Sequence, residues 1–186
     1  MKSAIRILVV FLCLFSFAYA REDSRTYTNV VDTLAVWINP TEIKVYVEDS
    51  PKAHILERAF NIWDDVLRSN MNFTFVGDKN EADITIGYVD KLEKNAVGMA
   101  YPRYLTIQGK IYLYKSRIVI AKTDSRGFIQ SDAQLLKTTL HEIGHAIGII
   151  GHSNSINDIM YYSTASTKNT SPSLRDIETV NKLYGF

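Results

Sequence analysis

The sequence is poor in cysteine and in histidine. Its 186 residues contain one cysteine, Cys13, and four histidines. Cys13 lies in an apolar stretch at the amino terminus, so the rest of the chain can form neither disulfide bonds nor thiolate metal sites. Neither sign of charge is in excess, since 21 basic and 20 acidic residues give a formal net charge of +1. This balance argues against a protein that binds nucleic acid or a membrane surface through its charge.

Long apolar runs are missing after the first 20 residues. A short basic start, an apolar stretch over 7–17 and a small-residue pattern that ends at Ala20 are together typical of a secretory signal peptide. The alternative is an uncleaved amino-terminal anchor. No later stretch reaches the length of a membrane span. We therefore expect a secreted or periplasmic chain that has no membrane association after cleavage.

The pattern of apolar residues predicts one α+β domain. The helical spacing of apolar side chains indicates an amphipathic helix over about 51–69. Alternating or short apolar runs predict five strands, at 43–47, 72–76, 82–89, 96–102 and 116–122. Residues 107–114 are strand-like as well, but their pattern does not assign them a place in a sheet.

A second helix precedes the histidine-rich segment. Ser131 and Gln134 fit a capping box at its start. Gly148 is placed to end it, because glycine adopts the left-handed conformation that turns the chain back. His141 and His145 lie four residues apart on this helix and therefore share one face.

This spacing indicates zinc chemistry. Two neutral imidazoles four residues apart on a helix can hold one zinc ion, and a third ligand must then come from outside the helix. His152 is the candidate third ligand to join His141 and His145, leaving the fourth position to a water molecule. Glu142 lies beside them and is the candidate general base for hydrolysis of a peptide bond. The remaining histidine, His54, is interpreted as a surface residue of the first helix.

The segment HEIGHAIG, followed by GHS and IMYY, is similar to the metzincin zinc proteases and, among them, to the matrixins. The metzincin motif is H-E-x-x-H-x-x-G-x-x-H followed by a methionine turn. The first two histidines, the glutamate and Gly148 match it position by position. Met160 lies eight residues after His152, as the methionine of the matrixin turn does after its last ligand. Further similarity covers 57–89, the edge-strand segment AVGMAYP and the carboxyl-terminal segment LRDIETVNKLYG.

The resemblance implies the fold and the organisation of the chain. The expected fold is a metzincin-like zincin with a twisted, mixed five-stranded sheet, two long helices, a methionine turn and a carboxyl-terminal helix. We predict a signal peptide over 1–20, a short segment over 21–35 as candidate pro-peptide, and a catalytic domain over 36–186. The implied function is that of a monomeric, secreted zinc endopeptidase with one catalytic zinc ion and a protein or peptide substrate.

The sequence also departs from the family pattern. The third histidine of the motif would fall on Gly151, and His152 follows one residue late. We predict that the zinc site survives, because Gly151 gives a turn the freedom to bulge. The alternative is a chain in which His152 misses the metal and catalysis is lost. No histidine remains for the structural zinc site of matrixins, calcium is unsupported, and the cysteine of the matrixin latency switch is absent.

Two further alternatives stay open. Tyr162 lies two residues after Met160, where astacins and serralysins carry a tyrosine that reaches the zinc or the reacting carbonyl. It is either a catalytic residue or a wall of the specificity pocket. The protein as a whole could instead be a thermolysin-like zincin, with Glu178 as third ligand, or a secreted zinc-binding module without turnover.

Overall fold

The computed structural model describes residues 35–124 and 126–186, without the side chain of Asn95. The predicted signal peptide and the segment up to residue 34 lie outside the described residues. The described strands are β1 Ala35–Trp37, β2 Ile43–Val47, β3 Phe73–Phe75, β4 Ile84–Val89, β5 Gly98–Ile107 and β6 Lys110–Ala121. The helices are α1 Ala53–Leu67, α2 Asp132–Ala146 and α3 Leu174–Tyr184, with short 3-10 turns at Pro40–Glu42, Arg68–Asn70 and Glu93–Asn95.

One twisted, mixed sheet contains all of the described strands. Its order is β1-β6-β4-β2-β3, with parallel pairing throughout, and β5 joins β6 as an antiparallel neighbour. The predicted α+β class and mixed sheet are confirmed. The sheet has six strands where five were predicted, because β1 is only three residues long and too short to show a period. The unplaced residues 107–114 form the turn of the β5–β6 hairpin and the start of β6.

The two long helices pack together against one face of the sheet, as the resemblance implied. α1 buries six apolar side chains, among them Phe60 and Trp63. The Trp63 indole donates a hydrogen bond to the Leu140 carbonyl at 2.9 Å, and the Trp37 indole donates to the Ala146 carbonyl at 3.1 Å. These two bonds hold the carboxyl-terminal half of α2 in place.

The predicted start of α1 is wrong by two residues. Lys52 is the N-cap residue, and no side chain caps the helix. The Ser50 carbonyl accepts a hydrogen bond from the Ala53 N–H at 3.0 Å, so the segment from Ser50 to Lys52 is a turn that precedes the helix. In the part of the chain that the structure describes, no helix combines the length and apolarity needed to cross a membrane.

The turn after α2 depends on Gly148, as predicted. Its φ is 109°, in the left-handed region that favours glycine. A β-carbon at this position would lie 2.6 Å from the Ala35 carbonyl oxygen and 2.8 Å from Leu183 Cδ2. The turn is therefore packed between β1 and α3, and it directs the chain back towards the histidines.

Replacing Gly148 by alanine is expected to lower the free energy of unfolding by about 3 kcal/mol or more, because strain and two steric overlaps combine. Gly185→Ala is the matched control. Gly185 ends α3 with φ 78°, and nothing lies within 4 Å of an added β-carbon. It should cost only about 1 kcal/mol. Equal losses for both variants in urea unfolding would contradict the packing argument.

Candidate active site

Three histidine rings meet at the carboxyl-terminal end of α2. The Nε2 atom of His145 lies 3.2 Å from the Nε2 atom of His141 and 3.2 Å from that of His152. One ligand atom from each ring lies within 4.8 Å of the other two. The structure therefore brings together the three histidines that the sequence analysis singled out. The added residue before His152 does not separate its ring from the other two.

Backbone carbonyls fix the tautomer of two rings. His141 Nδ1 lies 2.8 Å from the Ile159 carbonyl oxygen, and His145 Nδ1 lies 2.6 Å from that of Ile149. A carbonyl can only accept, so each Nδ1 carries the hydrogen and donates it. In a neutral ring the Nε2 atom then presents a lone pair. Lone pairs that face one another at such short range repel each other, and a cation between them would remove this repulsion.

The spacing of the three histidine side chains agrees with zinc coordination. Four-coordinate zinc with bonds of 2.0–2.1 Å to nitrogen places its ligand atoms roughly 3.3 Å apart. The two Nε2–Nε2 distances of 3.2 Å agree with that spacing. Hydrogen bonds from Nδ1 to backbone carbonyls are also what zinc-binding histidines make on their outer side. Glu178 of α3 does not belong to this group, which contains only histidines.

Burial favours the metal-binding form of these histidines. The pKa of His141 is lowered to about 3 and that of His145 to about 4, and burial is the largest cause of both shifts. Burial also lowers the pKa of His152. All three rings are therefore neutral near pH 7, which is the protonation state that a metal requires.

Glu142 faces the same space from α2. Burial raises the pKa of its carboxyl group to about 8, and a hydrogen bond from the Ala100 N–H opposes the shift. A bound dication would lower this pKa again, because it favours the charged carboxylate. Ala100 belongs to β5, the strand that forms one wall of the cleft.

The cleft is an open cavity of about 410 Å³ next to the histidines. One wall is the start of β5, and the other is the segment after the methionine turn, from Tyr162 to Ala165. The Tyr162 side chain is 67% exposed, and its ring centroid lies 4.3 Å from that of Tyr161. Tyr162 thus lines the cleft, with most of its surface open to solvent.

The methionine turn lies directly beneath the histidine helix. Met160 is fully buried. A β-carbon on Gly144 would lie 2.2 Å from the Met160 sulfur, so only glycine allows this approach. The Met160 carbonyl accepts a hydrogen bond from the Ser153 N–H at 2.7 Å. Because Ser153 follows His152, this bond connects the turn to the third histidine.

Two buried aspartates that the sequence analysis missed hold this region. Asp176 of α3 accepts hydrogen bonds from the N–H groups of Ile159 at 2.8 Å and Met160 at 3.3 Å. Burial raises the pKa of the Asp176 carboxyl group to about 6, although the hydrogen bonds from these backbone amides lower it. Asp158 accepts from the Ser153 hydroxyl on the other side of the turn. A capping box that begins at Ser173 was the available signal for Asp176, whose side chain completes it.

Comparison with known proteins identifies relatives of this chain. The family model described as matrixin matches residues 29–185. Metalloendoproteinase 1-MMP of Arabidopsis thaliana is 30% identical over 161 residues, which cover 83% of this chain and 43% of the relative. Metalloendoproteinase 2-MMP of the same plant is 29% identical over 140 residues, 70% of this chain and 36% of the relative. The chain thus spans about two-fifths of the length of these curated relatives.

Solved structures with the same fold share little sequence with this chain. Myroilysin aligns with a TM-score of 0.54 at 16% identity, covering 87% of this chain and 90% of its own. Archaemetzincin from Methanopyrus kandleri aligns with a TM-score of 0.51 at 14% identity, covering 78% and 96%. Both similarities concern the fold alone.

Proposed function

The chain belongs to the matrixin family, and from that premise we propose that it is a secreted zinc endopeptidase. The observation that carries the proposal is the convergence of His141, His145 and His152, with Glu142 beside them in an open cleft. A zinc ion held by the three histidines supplies a Lewis acid that polarises a carbonyl group and makes water more acidic.

Glu142 is the proposed general base. Its carboxylate takes a proton from the attacking water and passes it to the leaving amine, which is the role of a positioned acid–base group. Glu142 and Ala100 both line the cleft, which places the carboxylate where a substrate peptide would lie.

The substrate is proposed to lie along β5 as an added strand. β5 pairs only with β6 among the described strands, so its other edge is open to an extended peptide. Antiparallel addition would repeat the pairing that β5 makes with β6. The scissile bond would then lie beside Ala100, next to Glu142.

A proteolysis assay tests this function. The mature chain, expressed from residue 21, should degrade an unfolded protein such as reduced and alkylated albumin. A chelator should abolish the activity, and about one equivalent of zinc should restore it, because the three histidines hold the ion. Zinc binding without any cleavage would favour the non-catalytic alternative.

Tyr162 is a candidate for stabilising the transition state. If its hydroxyl donates a hydrogen bond to the developing oxyanion, Tyr162→Phe should lower kcat by about 10²–10³ with little change in KM. A pocket wall would instead alter substrate preference and KM. Tyr161→Phe is the matched control, since the two rings are neighbours. An unchanged kcat for Tyr162→Phe on several peptides would leave Tyr162 as a wall residue.

A further inference from the structure

The β5–β6 hairpin carries a hollow on the sheet face opposite the helices. The hollow has a volume of about 360 Å³ and is lined by Val89, Leu92, Tyr101, Arg103, Arg117 and Val119. Ile118 and Ile120 of β6 belong to the core that the helices cover. Because side chains alternate along a strand, Arg117 points to the other face. Tyr101 is its cross-strand partner and shares that face.

The hollow has an uncompensated positive charge. β5 and β6 contain four basic residues and no acidic residue. Lys115 has a carboxylate partner, since its ammonium lies 3.9 Å from Asp83. Arg103 and Arg117 are exposed, and neither has an ion pair or side-chain hydrogen bond with any residue in the ranges 35–124 and 126–186. Two guanidinium groups that have no acidic partner among the described residues, beside apolar side chains, form a suitable site for a carboxylate.

These charges do not serve the pairing of the two strands. Arg103 lies directly opposite Lys115 in the ladder, and like charges opposite each other destabilise a sheet. Charges on an edge strand can also prevent pairing between whole proteins. Arginines that only prevent pairing between proteins would give no preference for acidic substrates, whereas arginines that bind the substrate would give one.

The hollow adjoins the path of the proposed substrate. Arg103 lies three residues beyond Ala100, which is roughly 10 Å along the strand. A peptide antiparallel to β5 places the residues before its scissile bond beside Arg103. Neighbouring strands lie about 4.8 Å apart, so a side chain of the peptide on the outer face reaches the guanidinium group.

We propose that Arg103 and Arg117 select substrates with a glutamate or aspartate about three to five residues before the scissile bond. The acidic side chain of the bound strand takes the place beside Arg103 on the outer face, and Arg117 contributes the second positive charge of the hollow. This inference rests on the proposed endopeptidase function. It adds a specificity determinant about 10 Å from the metal centre.

Paired peptides test the proposal. The two peptides of each pair differ only by glutamate or glutamine at one position, three to five residues before the cleaved bond. For the wild-type chain, kcat/KM should be about two- to fivefold higher for the best glutamate peptide, mainly through KM. The preference should fall towards one in 0.5 M salt, because the pair is exposed. No preference at any position would overturn the proposal.

Variants identify the residues responsible. Arg103→Gln and Arg117→Gln should each reduce the glutamate preference, and the double variant should bring the ratio near one. Arg58→Gln is the matched control, because Arg58 is an exposed arginine on α1, away from the hairpin. A ratio that persists in the double variant, or that falls equally in Arg58→Gln, would overturn the assignment.

A binding measurement separates this inference from the proposed function. Fluorescence anisotropy of the same labelled peptides with zinc-loaded Glu142→Gln protein should show the same glutamate preference in Kd. If the wild-type protein cleaves no peptide, the proposed function is wrong. The ratio of the Kd values for the glutamine and glutamate peptides then tests the inference by itself. A sulfated oligosaccharide that binds through both arginines, combined with equal Kd values for the paired peptides, would assign the hollow to a glycan and overturn the proposal.

Discussion

Replacing Glu142 by glutamine is expected to lower kcat by about 10³–10⁴ on any peptide substrate. Glutamine keeps the size of the side chain and can still accept the hydrogen bond from Ala100. It cannot take up a proton, and general acid–base groups contribute about 10²–10⁴-fold. The upper end is expected because Glu142 serves both the attacking water and the leaving amine.

The fold and the zinc content of this variant should not change. Glu142 is not one of the three grouped ligands, so elemental analysis should give the same zinc content as for the wild-type chain. Glu57→Gln, on the exposed side of α1, is the matched control and should retain wild-type kcat. If Glu142→Gln retains kcat within threefold of wild type, the proposed proton transfer is wrong.

Replacing His152 by alanine is expected to remove most of the bound zinc and to reduce activity by more than about 100-fold. Loss of even an outer-shell partner of a zinc ligand costs about 10–100-fold, and a direct ligand should cost more. The effect should not come from unfolding, because part of the His152 side chain is exposed to solvent and its loop is held by the Ser153 bond to Met160. Zinc content after dialysis and the Tm of the metal-free protein measure the two effects separately.

Two control variants accompany His152→Ala. His54→Ala removes an exposed histidine of α1 and should change neither zinc content nor activity. Glu178→Gln tests the thermolysin-like alternative. Full zinc content in His152→Ala, together with zinc loss in Glu178→Gln, would show that the third ligand is Glu178 of α3 and not His152.

The sequence predicted the elements that have a clear period. The alternation in β2 and the helical spacing in α1 each come from one buried face, so they are visible without the fold. The spacing of His141 and His145 likewise follows from helix geometry alone. β1 could not be predicted in this way, because three residues show no period and the pairing with β6 is a tertiary contact.

The position of His152 could not be derived from the sequence, because a turn has no period. In the structure its loop is set by distant partners: the Met160 carbonyl bonds to Ser153, and Asp176 bonds to the Ile159 and Met160 amides. These contacts join α3 to the methionine turn and to the histidine loop. A capping box at Ser173 was readable, but the second role of its aspartate depends on packing between distant segments.

Anomalous diffraction at the zinc absorption edge, from crystals of the zinc-loaded chain, tests the central claim most directly. The claim is that the added residue before His152 leaves a complete three-histidine site. We expect one peak, bonded to Nε2 of His141, His145 and His152 at about 2.0–2.1 Å. A peak bonded to two histidines only, or one completed by a carboxylate such as that of Glu178, would contradict it.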